Sequence, residues 1–341
     1  DYDACARYAN ACGALVVSRH GCAPAMPTRV ELDHYLANAA TIPHPDRDAA
    51  LSRLHRVTAP RRVFADVYAF AFDHRPQFYE LAREAGADES RLPALKRLLV
   101  DAVAQVEADK GLAGRIGVLI DDVYGSDALA AATGRGWWIG RPVELPGSRP
   151  LEFQHGRSLG TTLATWPAEH IVKCLCAFHP DDATDLRLEQ ETALRSLRDA
   201  CDASGHELLL EVIPPSQPAL AADTVLRALK RLYNIGVAPQ WWKLAPMSAA
   251  QWRDVAALVA ERDPYCRGIV LLGQNAPVPQ LMRGFAAATG VPGVRGFAVG
   301  RTLWMQPSRD WLAGTLDDAG LVAAAATNFG ALIDAWREAR R

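Results

Sequence analysis

The chain has 341 residues, half of them hydrophobic, with a formal net charge of -2, so it can bury a large core and courts no polyanion; nucleic acid is not an expected partner. It has no uninterrupted apolar run of about 18 residues. Its start, Asp1-Tyr2-Asp3-Ala4-Cys5, lacks the basic and apolar parts of a signal peptide, which makes a soluble, cytoplasmic protein with no membrane partner the expectation. In chain order, residues 38–60 read as a linker, because Pro43, Pro45 and Pro60 flank the charged Asp46-Arg47-Asp48. A first strand is predicted over 63–72, followed by helices over 78–84 and 92–107 with apolar residues near a 3.6 period. Strands follow over 115–121, 136–144 and 171–177, then an amphipathic helix over 185–204 ended by Gly205. A fifth strand over 207–212, a helix over 221–233, a sixth strand over 241–244 and a helix over 249–262 continue the alternation. Strands over 268–272 and 296–299, with helices over 282–289 and 321–337, complete it. Eight strand–helix units predict an α/β fold of the (β/α)8 barrel type, whose usual size is about 250 residues. A doubly wound sheet is the alternative; it would ordinarily need fewer units and a glycine-rich phosphate turn, and no GxGxxG is present.

Lysine usage is the most informative bias. Of 37 basic residues only five are lysines (Lys96, Lys110, Lys173, Lys230, Lys243), so lysine is not the default surface cation. Lys243 stands in Gln240-Trp241-Trp242-Lys243-Leu244-Ala245-Pro246, and Lys173 in His170-Ile171-Val172-Lys173-Cys174-Leu175-Cys176. Both contexts predict buried strands. A strand-end lysine can also snorkel, laying its stem on apolar surface with its ammonium in water. Burial disfavours an ammonium, and a second cation nearby disfavours it further, which is how a lysine becomes a nucleophile at neutral pH.

A barrel presents its chemistry at the carboxyl ends of its strands. There the sequence reads Phe72-Asp73-His74-Arg75 after strand one, Asp121-Asp122 after strand two, Lys173 on strand four, Glu211-Val212-Ile213-Pro214 on strand five and Lys243 on strand six. Retro-aldol chemistry through an imine needs such a set: an amine nucleophile, a carboxyl to shuttle protons, a second cation and a base for the departing hydroxyl. No HxH or HExxH pair occurs among the nine histidines, so neither a metal nor another cofactor is expected and a zinc-dependent aldolase is disfavoured. Seven cysteines without a dense spacing point to a reducing compartment; Cys174 and Cys176, on one strand face, are read as packing rather than ligating. Trp137, Trp138, Trp241 and Trp242 are read as packing between barrel and helices.

From about residue 61 to 341 these motifs resemble class I aldolase barrels of the tagatose-bisphosphate aldolase type. The similarity is closer still to the aldolase domain fused behind 5-dehydro-2-deoxygluconokinase in bacterial inositol catabolism. Residues 1–37, through the run from Asn10 to Thr28, resemble the carboxyl-terminal end of ribokinase-like sugar kinases, although the Gly-Ala-Gly-Asp motif of that family is missing. The resemblance implies a kinase-derived segment before the barrel and an upstream kinase domain in the full-length protein. It implies Lys243 as the imine lysine, Glu211 as proton shuttle, Lys173 as second lysine, Asp73 as the strand-one acid–base residue and Asp121 as the strand-two acid. Pro180-Asp181-Asp182 after strand four also matches. The implied partner is a small phosphorylated keto-sugar acid, cleaved to dihydroxyacetone phosphate and malonate semialdehyde; a homo-oligomer is compatible with it. Phosphate is expected on backbone N–H groups after strands seven and eight together with a cation. These are Gly273 and Gln274, where Gln274-Asn275 departs from the small residues of related aldolases, and Gly300 with Arg301, whose guanidinium can fork onto phosphate. His74, His155 and His179 are possible neighbours of the mouth, and Arg75, Arg141 and Arg157 are candidates for a substrate carboxylate. Two rival readings are another ketose-phosphate aldolase or Schiff-base lyase, and a non-catalytic regulatory module of the kinase.

Overall fold

The computed structural model describes residues 1–59 and 61–340; Pro60 and Arg341, which fall at the end of the expected linker and of the expected barrel segment, lie outside the described residues. It contains two compact units, residues 1–63 and 64–341.

In the first unit, helices α1 (Tyr2–Val17), α2 (Arg29–Asn38) and α3 (Ala49–Thr58) close over Leu15, Ile42 and Leu51. Residues 38–58 are thus not an extended linker. Asp48, read as part of a charged spacer, caps α3 by accepting from the Leu51 N–H at 2.8 Å, and the apolar face that this helix creates supplies the buried Leu51. Glu31 of α2 is fully buried, held by Arg19 at 2.6 Å and His55 at 3.0 Å.

The second unit is a (β/α)8 barrel. Strands β1 (Val67–Ala71), β2 (Ile116–Leu119), β3 (Trp138–Pro142), β4 (His170–Cys176), β5 (Leu208–Val212), β6 (Trp241–Leu244), β7 (Gly268–Leu272) and β8 (Val294–Val299) pair in parallel in sequence order. Val67 pairs with Gly296, which closes β1 on β8. Around the barrel run α4 (Pro76–Glu84), α5 (Leu92–Lys110), α6 (Ser126–Ala132), α7 (Leu159–Leu163), α8 (Thr184–Ser204), α9 (Thr224–Asn234), α10 (Ala249–Arg262), α11 (Val278–Ala287), α12 (Arg301–Leu312) and α13 (Asp318–Ala339). Of these α6, α7 and α12 were not foreseen. The first two are only seven and five residues long, and α12 carries Pro307 in its interior, which reads as a break in sequence. Helix α13 is apolar and long enough to cross a membrane by length and composition. In the fold its Leu321, Ala325, Phe329, Leu332 and Trp336 are buried, and Phe329 and Trp336 meet Phe297 of β8 edge-on.

Period-two alternation fills the interior. Val67, Ala69 and Ala71, Leu119, Trp138, Ile171, Leu209, Trp241, Val270 and Ala298 form the inner cluster, while their strand neighbours pack outward against the helices. Trp138 and Trp241 therefore lie inside the barrel, edge to face with centroids 5.5 Å apart; Trp137 and Trp242 belong to the outer, barrel-to-helix core as expected. Room for Trp138 comes from Gly117, where a Cβ would stand 3.0 Å from its ring.

Candidate active site

The same alternation builds the site. Moving two residues on from inward-facing Ala71, Ile171, Leu209 and Trp241 gives Asp73, Lys173, Glu211 and Lys243, and continuing two by two from Trp138 through Gly140 and Pro142 gives Glu144. All five are buried yet line one cavity of about 330 Å³ with His74, Arg75, Gln77 and Gly147. The ionisable ring thus sits directly on the apolar plug of the barrel, which fixes its floor.

Lys173 Nζ lies 2.9 Å from Glu144 Oε1 and 3.2 Å from both Asp73 Oδ2 and Glu211 Oε2. Lys243 Nζ lies 3.0 Å from the same Glu211 oxygen, so this carboxylate bridges the two lysines. Burial works against the Lys173 ammonium, but the charges of Asp73, Glu144 and Glu211 outweigh it and hold Lys173 well above its ordinary value. Burial likewise pushes the Asp73 carboxyl up; Lys173, then His74 and Lys243, more than reverse this and hold it well below the usual carboxylate range. Glu211 is lowered for the same reason, with Lys243 and Lys173 overcoming burial. Lys173 is thereby a committed cation, embraced by three carboxylates, whereas Lys243 has one carboxylate contact.

Asp121 does not join this ring. It is fully buried and paired with Lys96 of α5, and its other oxygen accepts from the Tyr124 N–H at 2.9 Å. Lys96 Nζ also donates to the carbonyls of Phe72, at 2.9 Å, and His74, at 3.2 Å. The pair clamps the backbone on both sides of Asp73, so it supports the site from behind. Lys96 was missed in the sequence, although a signal was there: with Leu92, Leu95, Leu99, Val100 and Val103 it lies on the buried face of α5. Glu144 is a further site residue that strand ends alone do not single out: it closes the expected third strand, and its signal is the inward parity it shares with Trp138.

The expected phosphate residues follow the ends of β7 and β8. Gly300 caps α12 and Arg301 opens it. A Cβ at Gly300 would stand 2.1 Å from the Ala71 carbonyl oxygen and 3.0 Å from His74 Cε1, so only glycine lets the α12 start approach the end of β1. The loop after β7 reaches the same place: Thr302 Oγ1 donates to the Ala276 carbonyl at 3.0 Å, and Gln274 and Asn275 both adopt left-handed backbone, φ 48° and 59°. Gly273, Gln274, Gly300 and Arg301 do not line the cavity itself. Burial, opposed by Asp73 and reinforced by Lys243, Lys173 and Arg301, lowers His74 to about 4, so its imidazole is neutral at pH 7. Of the three arginines considered for a carboxylate, Arg75 lines the cavity. Arg141 instead pairs with Asp122 at 2.8 Å and covers the Trp166 ring, and Arg157 is exposed. His179 is buried, with its Nδ1 accepting from the Asp181 N–H, and His155 faces Asp122 at 3.4 Å; neither lines the cavity. Among the described residues no group of three or more His, Cys, Asp or Glu is placed to hold a metal ion.

Closed barrel topology and a ring of acids and lysines at the carboxyl ends of its strands define an α/β barrel with an enzyme-like site. A family model described as an uncharacterized protein conserved in bacteria (DUF2090) matches residues 31–340, and the chain belongs to that family. No curated protein matches the sequence. Among solved structures, the fold is similar to fructose-bisphosphate aldolase from Plasmodium falciparum, with TM-score 0.60 and 13% identity over 86% of this chain and 97% of that one. It is also similar to a Corynebacterium glutamicum protein, with TM-score 0.50 and 18% identity over 89% and 97% of the two chains. At these identities the likeness is one of fold.

Proposed function

We propose that the protein is a Schiff-base aldolase in which Lys243 attacks the keto carbon of a phosphorylated ketose acid. The observation that carries this reading is the asymmetry of the two lysines. Lys173 is tied as a cation to Asp73, Glu144 and Glu211, while Lys243 shares a single carboxylate with it. Of the two, Lys243 can give up its proton to Glu211 with the smaller loss of pairing and become the nucleophilic amine. Glu211, in contact with that nitrogen, then returns the proton to the carbinolamine hydroxyl, which leaves as water and forms the iminium. The iminium draws the electrons of the adjacent carbon–carbon bond as the hydroxyl on the next carbon loses its proton. An aldehyde departs, and the enamine left on Lys243 is protonated and hydrolysed. Lys173 stays charged throughout, orienting substrate oxygens, and Asp73 holds it in place from the position assigned to the acid–base residue. Arg301 and the backbone N–H groups around Gly273, Gln274 and Gly300 receive the phosphate, and Arg75 the carboxylate.

The specific substrate, 6-phospho-5-dehydro-2-deoxygluconate, with dihydroxyacetone phosphate and malonate semialdehyde as products, rests on the sequence resemblance, as do the inositol pathway and the upstream kinase. A panel of ketose phosphates tests that choice, the expected result being fastest release of malonate semialdehyde from this substrate. For the chemistry itself the test is borohydride reduction in the presence of dihydroxyacetone phosphate, followed by peptide mass mapping. The adduct is expected on the peptide holding Lys243, to vanish in Lys243→Ala and to persist, formed more slowly, in Lys173→Ala. A label on Lys173 reverses the assignment, and no label on either lysine favours a non-catalytic module.

A further inference from the structure

Glu144 is a third carboxylate in the ring, and it differs from the others in what its oxygens do. Oε1 accepts from Lys173 at 2.9 Å, but Oε2 is buried and, among the described residues, has no hydrogen-bond partner. The residue is 7% exposed and lines the cavity. Its backbone is fixed on two sides: the carbonyl accepts from Arg75 Nη2 at 2.9 Å, and an antiparallel bridge to Phe153 ties the segment to the returning loop. An unpaired carboxylate oxygen held rigidly in a cavity that also holds a nucleophile is an acceptor waiting for a donor. All three carboxylates contact Lys173, and Glu211 meets Lys243 as well, but of their oxygens only Glu144 Oε2 is buried and without a hydrogen-bond partner among the described residues. Asp73 is moreover held so strongly ionised by Lys173 that it is a poor proton acceptor, although its strand-one position would suggest that role.

We propose that Glu144 Oε2 is the base of the bond-breaking step, accepting the proton of the substrate hydroxyl two carbons from the imine carbon. The inference rests on the Schiff-base reading and assigns a step within it. The hydroxyl proton passes to Oε2, the O–H electron pair becomes the carbonyl bond of the departing aldehyde, and the electrons of the broken carbon–carbon bond move into the enamine on Lys243. No oxidant or reductant is needed, and in the condensation direction the same proton returns from Glu144 to the new hydroxyl. The required donor class is a β-hydroxy ketone; a ketone lacking that hydroxyl still forms the imine and the enamine without calling on Glu144.

That separation supplies the test. Dihydroxyacetone phosphate has no β-hydroxyl, so two of its reactions, borohydride trapping and exchange of its hydroxymethyl hydrogens with deuterated water, report imine and enamine formation alone. Condensation of the same compound with an aldehyde, from a panel that includes malonate semialdehyde, requires the hydroxyl proton as well. In Glu144→Gln, which keeps the size and the contact to Lys173, condensation is expected to fall by about 10²- to 10⁴-fold, the range for a positioned acid or base, while trapping and exchange fall by less than about tenfold. Glu144→Asp, which retains a carboxylate with shorter reach, is expected to restore part of the condensation rate. Equal losses in exchange and condensation would show that Glu144 acts only by holding Lys173, and an unchanged condensation rate would remove it from the reaction; either overturns the proposal. Absence of trapping and exchange in the unmodified enzyme would instead sink the Schiff-base reading, and this inference with it.

Discussion

Replacing Lys173 by methionine, which keeps the length of the stem and removes the charge, tests whether the ring is built as the distances indicate. The ammonium touches three carboxylates at 2.9 to 3.2 Å, all of them buried. Breaking a buried pair by removing one partner ordinarily destabilises by about 3–5 kcal/mol, because an uncompensated charge is left in a low dielectric. Asp73 and Glu144 are left without their cation while Glu211 keeps Lys243, and two stranded buried carboxylates belong at the upper end of that range, about 4–5 kcal/mol at pH 8. Lys243→Met is the internal comparison. There Glu211 keeps its contact with Lys173, so the loss is nearer that of one charge-assisted hydrogen bond, about 1.5–3 kcal/mol. The sign with pH follows from the shifts. Lys173 is raised in the folded protein, so its contribution is complete below the unfolded lysine value and fades only as pH rises through the higher folded one. Asp73 and Glu211 are lowered, so theirs is complete above the unfolded carboxylate values and fades as pH falls through the folded ones. The native ring is therefore at full strength between about pH 5 and 10. Without Lys173, Asp73 loses the charge that chiefly held it ionised, while Glu211 keeps Lys243, so protonation of Asp73 on acidification relieves part of the strain. Urea unfolding followed by circular dichroism at pH 8 and pH 5 should find Lys173→Met costlier than Lys243→Met by about 2 kcal/mol at pH 8, with a smaller cost at pH 5. Equal costs for the two variants, or a Lys173→Met cost that does not shrink on acidification, would refute the account of a cation shared by three acids.

How much of this was legible in the sequence depended on periodicity. Strand parity carries Asp73, Lys173, Glu211 and Lys243 to the same inward face, so a lysine or acid at the end of an apolar strand could be assigned a face without coordinates. Parity says nothing about what lies behind the strand ends. Asp121 fits the same pattern, two residues on from inward-facing Leu119, yet Lys96 captures its carboxylate from the helix layer. That is a tertiary pairing between α5 and the end of β2, and only the three-dimensional fold brings the two together. The same holds for residues 38–58, read as linker from their prolines and charges, where a capped helix forms because Leu51 finds its partners Leu15 and Ile42 in separate segments.

Arg301→Ala should lower kcat/KM for a phosphorylated substrate by about 2–4 kcal/mol in transition-state terms; an unchanged preference for phosphorylated over unphosphorylated ketose, measured in steady state, would exclude it from the phosphate site. Lys96→Met should cost about 3–5 kcal/mol of stability by stranding Asp121, whereas Asp121→Asn, which leaves Lys96 its two carbonyl acceptors, should cost less; a smaller loss for Lys96→Met in urea unfolding would contradict the clamp. Finally, stability should fall on mild acidification through His170, which is 3% exposed and whose Nε2 lies 2.9 Å from Thr133 Oγ1. Burial above all, then the charges of Arg141 and His206, lowers it to about 4. Between about pH 6.5 and 4 the unfolded chain takes up a proton that the folded imidazole refuses, so the folded state loses about 2 kcal/mol as pH falls through that window. His170→Asn has no group to titrate there and should lose correspondingly less over the same interval. Unfolding free energies of the two proteins that run parallel from pH 6.5 to 4.5 would show that this histidine is not held neutral.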